Sequence, residues 1–147
     1  MRTRWMILLL VLLTVAVPLG ACQPPPTSIT GADKDAVLAY SEGMTDNLLQ
    51  GFNASDYAAF SRDFDDAMKR GIPAGDFTGM RTQIVGKIGQ YVSRQVADVF
   101  ELQGNIAVNY TARFEQEDAV TVRVVFTKSE PHKVTGLWFN SPKLAGK

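Results

Sequence analysis

The feature that most constrains this chain is a change in the spacing of its hydrophobic residues at Gly89. Before Gly89 the apolar residues recur every three or four positions, which is the period of an amphipathic helix. After Gly89 they alternate with polar residues, which is the period of a strand with one buried face. Segregated helices and strands of this kind predict an α+β domain, with the helices covering one face of a sheet.

Three helices are predicted before the change, spanning Asp33 to Gln50, Tyr57 to Gly71 and Pro73 to Gly89. Gly51 is expected to end the first helix, and Asn53 with Asp56 three residues later to cap the second. Each helix has one apolar stripe that we expect to face the sheet. The stripes are Val37, Tyr40, Met44 and Leu48; Tyr57, Phe60, Phe64 and Met68; and Phe77, Met80, Ile84 and Ile88.

Four strands are predicted after the change in spacing at Gly89. They span Gln90 to Leu102, Ile106 to Phe114, Val120 to Phe126 and Lys133 to Asn140. The connections are short, which favours hairpins and therefore a four-stranded antiparallel meander. On the two central strands the inward positions carry no carboxylate. They are Ile106, Val108, Tyr110, Ala112, Phe114, Val120, Val122, Val124 and Phe126.

The last strand is apolar on both faces. Strict alternation places Val134 and Trp138 on one face, and Leu137 and Phe139 on the other. If Leu137 and Phe139 face the helices, Trp138 and Val134 form an exposed contact surface for a partner. The alternative is a sheet that curls enough to bury both faces, and alternation does not decide between the two.

The order of these elements resembles an uncharacterised family, the domain of unknown function 3887. The resemblance implies a cystatin-like or nuclear-transport-factor-2-like cone, in which a curved sheet wraps around helices. It implies no activity and no catalytic residues. The segments that carry it are Asp56 to Asp65, Phe77, Lys87 to Tyr91, Tyr110 to Phe114 and Lys133 to Phe139.

The leader sequence has the order of an export signal. Arg2 and Arg4 precede an apolar run from Trp5 to Val17, which at about 1.5 Å per residue is too short for a permanent membrane span. The segment Leu19-Gly20-Ala21-Cys22 then resembles the lipobox of bacterial lipoproteins, and Cys22 is the only cysteine of the chain. We therefore expect Cys22 to carry a lipid.

These features divide the chain into four parts. Residues 1–21 are predicted to be a lipoprotein signal peptide, and residues 22–31 the lipidated cysteine with a Pro-rich spacer. Residues 32–144 form a single α+β domain, and residues 145–147 a tail. The protein is expected to be exported and held by its lipid on the cell membrane or the outer membrane.

Composition excludes several functions. With one cysteine and one histidine, the chain has neither a Cys/His zinc site nor an internal disulfide. Acidic and basic residues number 15 each, so nothing attracts nucleic acid. The acidic group Asp63, Asp65 and Asp66 is interpreted as a solvated helix face rather than a metal site. We assign no catalytic, cofactor or metal residue.

Two functions remain open. The first is a non-catalytic module that binds a small apolar ligand, a peptide or a second copy of itself. The alternative is a small isomerase-like or dehydratase-like enzyme that uses a carboxylate and a tyrosine in an apolar cavity. The candidate tyrosines are Tyr40, Tyr57, Tyr91 and Tyr110, and His132 is expected to be exposed in a turn. The inward residues without a carboxylate favour binding.

Overall fold

The computed structural model describes residues 25–146, so the predicted signal peptide and the lipidation site Cys22 lie outside the described residues. The fold is α+β, as expected. Among the described helices, none is both long enough and apolar enough to cross a membrane. The elements are β1 (Thr27–Ser28), α1 (Gly31–Ala54), α2 (Tyr57–Phe60), α3 (Asp66–Gly71), α4 (Ala74–Ile88), β2 (Tyr91–Leu102), β3 (Asn105–Phe114), β4 (Glu117–Thr127) and β5 (Val134–Asn140).

The sheet is antiparallel and has five strands in the order β1-β2-β3-β4-β5. Strands β2 to β5 confirm the predicted meander, but the predicted number of four is wrong. Strand β1 adds an edge, with Thr27 opposite Glu101 and Ser28 opposite Phe100. Both residues of β1 are exposed and polar, so they have no hydrophobic alternation that would have predicted a strand.

The inner face of the sheet is the one predicted by alternation. All nine inward residues predicted on β3 and β4 are buried against the helices. Aromatic rings fill much of this interior, with ring centroids as close as 4.6 Å for Phe60 and Phe77. The fully buried rings are Phe52, Phe60, Phe64, Phe77, Tyr110, Phe114 and Phe126.

The first helix continues past Gly51, contrary to the prediction. A Cβ atom at Gly51 would lie 2.3 Å from the backbone nitrogen of Phe60, so the glycine allows α2 to pack directly on α1. Of the two predicted capping residues, Asp56 does cap α2 by accepting from the Ala59 amide at 3.1 Å, whereas Asn53 lies inside α1. Its amide group donates to the carbonyl of Tyr91 at 2.7 Å and accepts from the Tyr91 amide at 3.0 Å. This pair joins the end of α1 to the start of β2.

The second predicted helix is divided into α2 and α3, whereas the third is confirmed as α4. Phe60 and Phe64 have helical spacing, but Phe64 lies in a turn and forms a bridge with Val134. The Asp65 amide donates to the Val134 carbonyl at 2.9 Å. The Asp65 carboxylate caps α3 by accepting from the Met68 amide at 2.7 Å. Tertiary pairing with β5 therefore interrupts a helix that the pattern alone predicts.

The predicted pairing of Val134 with Trp138 on one face is wrong. Val134 is fully buried in the core, whereas Trp138 is 55% exposed on the outer face. The cause is an irregularity in the pairing of β4 with β5, where Val125 lies opposite Gly136 and Phe126 opposite Val134. The extra residue, Thr135, reverses the alternation between Val134 and Trp138.

Candidate functional site

An open groove lies between the N-terminal third of α1 and the loop that joins β4 to β5. Its volume is about 480 Å³, which is within the range of ligand sites in proteins. The α1 residues and Ile106 supply an apolar floor, and the loop supplies a charged rim. The lining residues are Ala36, Val37, Ala39, Tyr40, Ile106, Lys128, Glu130 and His132.

A second recess of about 430 Å³ adjoins the groove and shares Val37, Ile106 and Lys128 with it. Strand β1 borders this recess, together with the carboxylates of Asp33 and Glu101. Lys128 pairs with Glu101 across the rim at 2.8 Å. Lys128 is 58% and Glu101 37% exposed, so water screens this ion pair and it contributes little to stability.

A stacked pair of rings forms one wall of the groove. Tyr40 and His132 lie with their centroids 3.7 Å apart and their planes 13° from parallel. Tyr40 also meets the core residue Phe126 edge to face at 5.8 Å. Burial raises the pKa of the Tyr40 hydroxyl. The wall is therefore anchored in the core on one side and open to the groove on the other.

Hydrogen bonds at the base of the loop fix the position of His132. The Thr127 carbonyl lies 3.0 Å from Nδ1 of His132, and because a carbonyl only accepts, Nδ1 carries the proton. In the neutral ring Nε2 is then the acceptor. Thr127 also bonds twice to Lys133, through its amide at 2.8 Å and its hydroxyl at 2.9 Å. These contacts close the loop and hold the imidazole against Tyr40.

The sequence-based expectation that His132 is exposed is therefore wrong. The histidine is half-buried, because its stacking partner Tyr40 comes from α1 at the other end of the chain. Nothing in the local sequence of the turn indicates this contact. The groove was missed for the same reason, since its two sides are far apart in sequence.

A second polar region lies where the middle of α1 meets β2. The Arg94 side chain is only 8% exposed and lies on the inner face of the sheet. Its guanidinium donates to Glu42 at 3.1 Å and to Asp46, and covers the ring of Tyr110 at 4.9 Å. The hydroxyls of Tyr110 and Thr45 are 3.1 Å apart. We call these five residues the Arg94 cluster.

The pKa values of Tyr110 and Arg94 keep both side chains out of acid–base chemistry near neutral pH. Burial raises the pKa of Tyr110 to about 12, an effect that the Thr45 hydrogen bond only partly offsets. Burial alone would lower the pKa of Arg94, but hydrogen bonds to Tyr91 and Asp46 and the charge of Glu42 raise it overall. Tyr110 therefore stays neutral and Arg94 stays charged.

The Arg94 cluster and the neighbouring Ser41 do not use all of their hydrogen-bonding capacity. Within the described part of the chain, Arg94 Nε, Glu42 Oε1 and the buried Ser41 hydroxyl have no hydrogen-bond partner. Buried polar atoms are usually paired, so this region is stabilised less than a fully connected network would be. The ion pairs nevertheless link α1 firmly to β2.

The outer face of the sheet carries Trp138. The indole lies over Gly136, where a Cβ atom would be 2.5 Å from the ring. Nearby, Arg123 covers the ring of Phe100 at 5.2 Å and donates to Asn109 at 2.8 Å. The predicted contact surface is therefore reduced to Trp138 and its polar neighbours, without Val134.

The acidic residues of the 63–66 segment have structural contacts. Asp63 accepts from the Asn47 amide at 3.2 Å and pairs with Arg62, whereas Asp65 caps α3. Asp66 is exposed. Between residues 25 and 146, no three His, Cys, Asp or Glu residues converge in an arrangement that could hold a metal ion.

Comparison with known proteins identifies the family. The sequence matches the family described as "Protein of unknown function (DUF3887)" over residues 45–137, from within α1 to within β5. No curated protein and no solved structure matches the chain. The matched segment is more than half of the sequence and contains Arg94, Tyr110 and the β4–β5 loop. The chain therefore belongs to the DUF3887 family.

Proposed function

We propose that this protein is a lipid-anchored, extracytoplasmic module that binds a small ligand and has no catalytic activity. The observation that carries the binding function is the open groove of about 480 Å³, with an apolar floor on α1 and a polar rim on the β4–β5 loop. Ligand sites combine a mostly apolar surface with a few polar groups that orient the ligand. The groove has this composition.

The anchor rests on the sequence of the leader. The basic residues, the short apolar run and Leu19-Gly20-Ala21-Cys22 occur in the order that lipoprotein export requires. One acyl chain holds a protein only marginally, whereas two or three hold it stably. The proposed location is thus the surface of the cell membrane or the outer membrane, with the membrane reached through the lipid on Cys22.

The surroundings of Tyr110 favour binding over catalysis. Glu42 lies close enough to Tyr110 to affect its pKa, which is the one contact that favours the alternative enzyme. However, the Glu42 carboxylate is already engaged by Arg94, and Tyr110 is fully buried in the core. A packed interior of this kind leaves little room for a substrate.

Within the α+β class, we propose a more specific fold for this domain. Helices on one face of an antiparallel meander are compatible with the cystatin-like or nuclear-transport-factor-2-like cone that the resemblance implies. The open groove beside the N-terminal third of α1 is compatible with a ligand site between the sheet and the helices of such a cone.

Intact-mass analysis of protein from the membrane fraction tests the anchor. The expected mass is that of residues 22–147 with a diacylglyceryl group, and usually an acyl group, on Cys22. The variant Cys22→Ser should instead give the uncleaved precursor or a form released from the membrane. An exported chain with a free Cys22 thiol, or one that begins at another residue, would contradict the proposal.

A further inference from the structure

The point at which the chain enters the fold places the groove near the anchor. Thr27, the first residue of β1, borders the recess that adjoins the groove. Cys22 precedes Thr27 by five residues. A fully extended chain spans at most about 3.6 Å per residue, so this tether reaches at most about 18 Å. The groove end of the domain therefore stays close to whatever holds Cys22.

The other end of the domain is out of reach of so short a tether. Helix α1 has 24 residues, and at 1.5 Å per residue it is about 36 Å long. Its N-terminal third lines the groove, whereas its last turn holds the start of β2 through Asn53 and Tyr91. A tether of about 18 Å does not allow the domain to turn this far end toward the anchor.

We propose that the groove end is the face that rests on the lipid bilayer, and that the groove receives the headgroup of a phosphatidylethanolamine-type lipid. The proposal rests on the proposed anchoring at Cys22. It goes further by naming the surface that meets the membrane and the chemical class of the ligand.

The rim of the groove has the charges that a zwitterionic headgroup requires. Lys128 is the cation for the phosphate, since its exposed ion pair with Glu101 exchanges at little cost. Glu130 is a carboxylate for the ammonium group, and Nε2 of His132, the ring nitrogen that does not contact the Thr127 carbonyl, is positioned to add an acceptor. An ethanolamine ammonium donates N–H bonds to both groups, but a choline has no N–H to donate.

Only the headgroup enters the groove in this arrangement. Each methylene that leaves the hydrocarbon core for water loses about 0.8 kcal/mol. An open groove with charged rims replaces little of that loss, so the acyl chains remain in the bilayer. The apolar floor formed by Val37, Ala39 and Ile106 then contacts the part of the lipid next to the headgroup.

Energy transfer from tryptophan to headgroup-labelled lipid tests the orientation. The lipidated protein is bound to phosphatidylethanolamine vesicles that contain dansyl-labelled phosphatidylethanolamine. Two variants in a Trp138→Phe background carry the donor: Asp35→Trp, next to the groove, and Ala54→Trp, at the far end of α1. Both positions are exposed. We expect several-fold stronger transfer from position 35, and equal or reversed transfer would overturn the orientation.

The single histidine of the chain provides a direct test of the headgroup. Soluble dihexanoyl-phosphatidylethanolamine should shift the ring NMR signals of His132 saturably. The choline analogue with the same acyl chains should bind at least several-fold more weakly. Glu130→Gln should weaken ethanolamine binding by about tenfold, which corresponds to about 1.4 kcal/mol, whereas the exposed control Asp118→Asn should not. Equal affinity for the two lipids would overturn the assignment.

The intact mass of each sample separates failure of this inference from failure of the proposed function. A lipidated chain that shows equal transfer from both ends overturns the membrane-facing groove and leaves the anchor in place. A chain whose Cys22 carries no lipid overturns the anchor, and with it the tether argument.

Discussion

Helix α1 meets the sheet in two polar regions that differ in how far their cations are buried. In the middle of α1, the Arg94 cluster is closed around its cation: the guanidinium is 8% exposed, although the α1 carboxylates of Glu42 and Asp46 that it contacts are 42% and 52% exposed. At the N-terminal third, the groove is open, and its cation Lys128 is 58% exposed where it pairs with Glu101. Ion pairs around a buried cation join secondary-structure elements, whereas polar groups at the exposed rim of a groove remain available to a ligand.

This difference supports a structural role for the Arg94 cluster and the proposed binding role for the groove. Tyr110 is fully buried, and burial raises its pKa. Tyr40 is only half-buried and forms a wall of the groove with His132. Under the proposed function, the less buried tyrosine is therefore the one that a ligand can reach.

The largest expected effect on stability comes from the hydrophobic core, which contains Phe64. Phe64 is 2% exposed and meets the ring of Phe60 edge to face at 5.0 Å. Phe64→Ala should lower the free energy of unfolding by about 3–5 kcal/mol, because it removes a buried ring and leaves a cavity. Denaturant melts of the mature protein measure this, with Phe64→Leu as a milder control. A loss below about 1 kcal/mol would mean that the ring is not part of the core.

A smaller loss is expected on opening the Arg94 cluster. Arg94→Ala should cost about 1–3 kcal/mol, since it removes a buried cation from two carboxylates. The loss is limited because Glu42 and Asp46 are 42% and 52% exposed and remain hydrated. The matched control is Arg113→Ala, on the exposed face of β3, which should change stability by less than about 0.5 kcal/mol. Equal effects of the two substitutions would contradict the structural role of the cluster.

The Tyr110 hydroxyl should contribute less to the free energy of unfolding than Arg94 does. Tyr110→Phe removes its hydrogen bond to Thr45 and should cost about 0.5–1.5 kcal/mol near neutral pH. In the folded protein the pKa is about 12, above the ordinary value of 10.0. Between these values the unfolded chain releases the proton first, so wild-type stability falls as the pH rises from 10 to about 12. Denaturant melts from pH 10 to 12 should show a smaller loss of stability for Tyr110→Phe than for the wild type. An equal loss in both would contradict the assignment of this pH dependence to the raised pKa of Tyr110.

The smallest effect is expected at the rim of the groove. Lys128→Ala breaks an exposed ion pair and should change the free energy of unfolding by less than about 1 kcal/mol. The same melts measure it beside Arg94→Ala. A loss at Lys128 as large as that at Arg94 would remove the distinction between the open and the closed region.

Alternation predicted the inner face of β3 and β4 because these strands pair regularly over most of their length. It did not place Arg94, since β2 has pairing irregularities near Val92 and Ala97 that shift the alternation. The same effect at Thr135 separated Val134 from Trp138. Local pattern gives the faces of regular strands, but bulges are set by long-range pairing that a single sequence does not show.

The groove was beyond prediction for a related reason. Its floor comes from one stripe of α1, and its rim comes from a loop that follows β4. Each part is an ordinary helix face or turn when considered alone. Only the packing of Tyr40 on Phe126 and His132 brings the parts together.

The most direct test of the central claim is a fluorescence titration with the apolar probe N-phenyl-1-naphthylamine. The groove variant Ala39→Phe fills the floor, Ala54→Phe places the same ring at the far end of α1, and Tyr110→Phe alters the Arg94 cluster. We predict saturable binding to the mature protein, weakened about tenfold by Ala39→Phe alone. Binding that Tyr110→Phe abolishes and Ala39→Phe leaves unchanged would contradict the account and place the ligand in the interior.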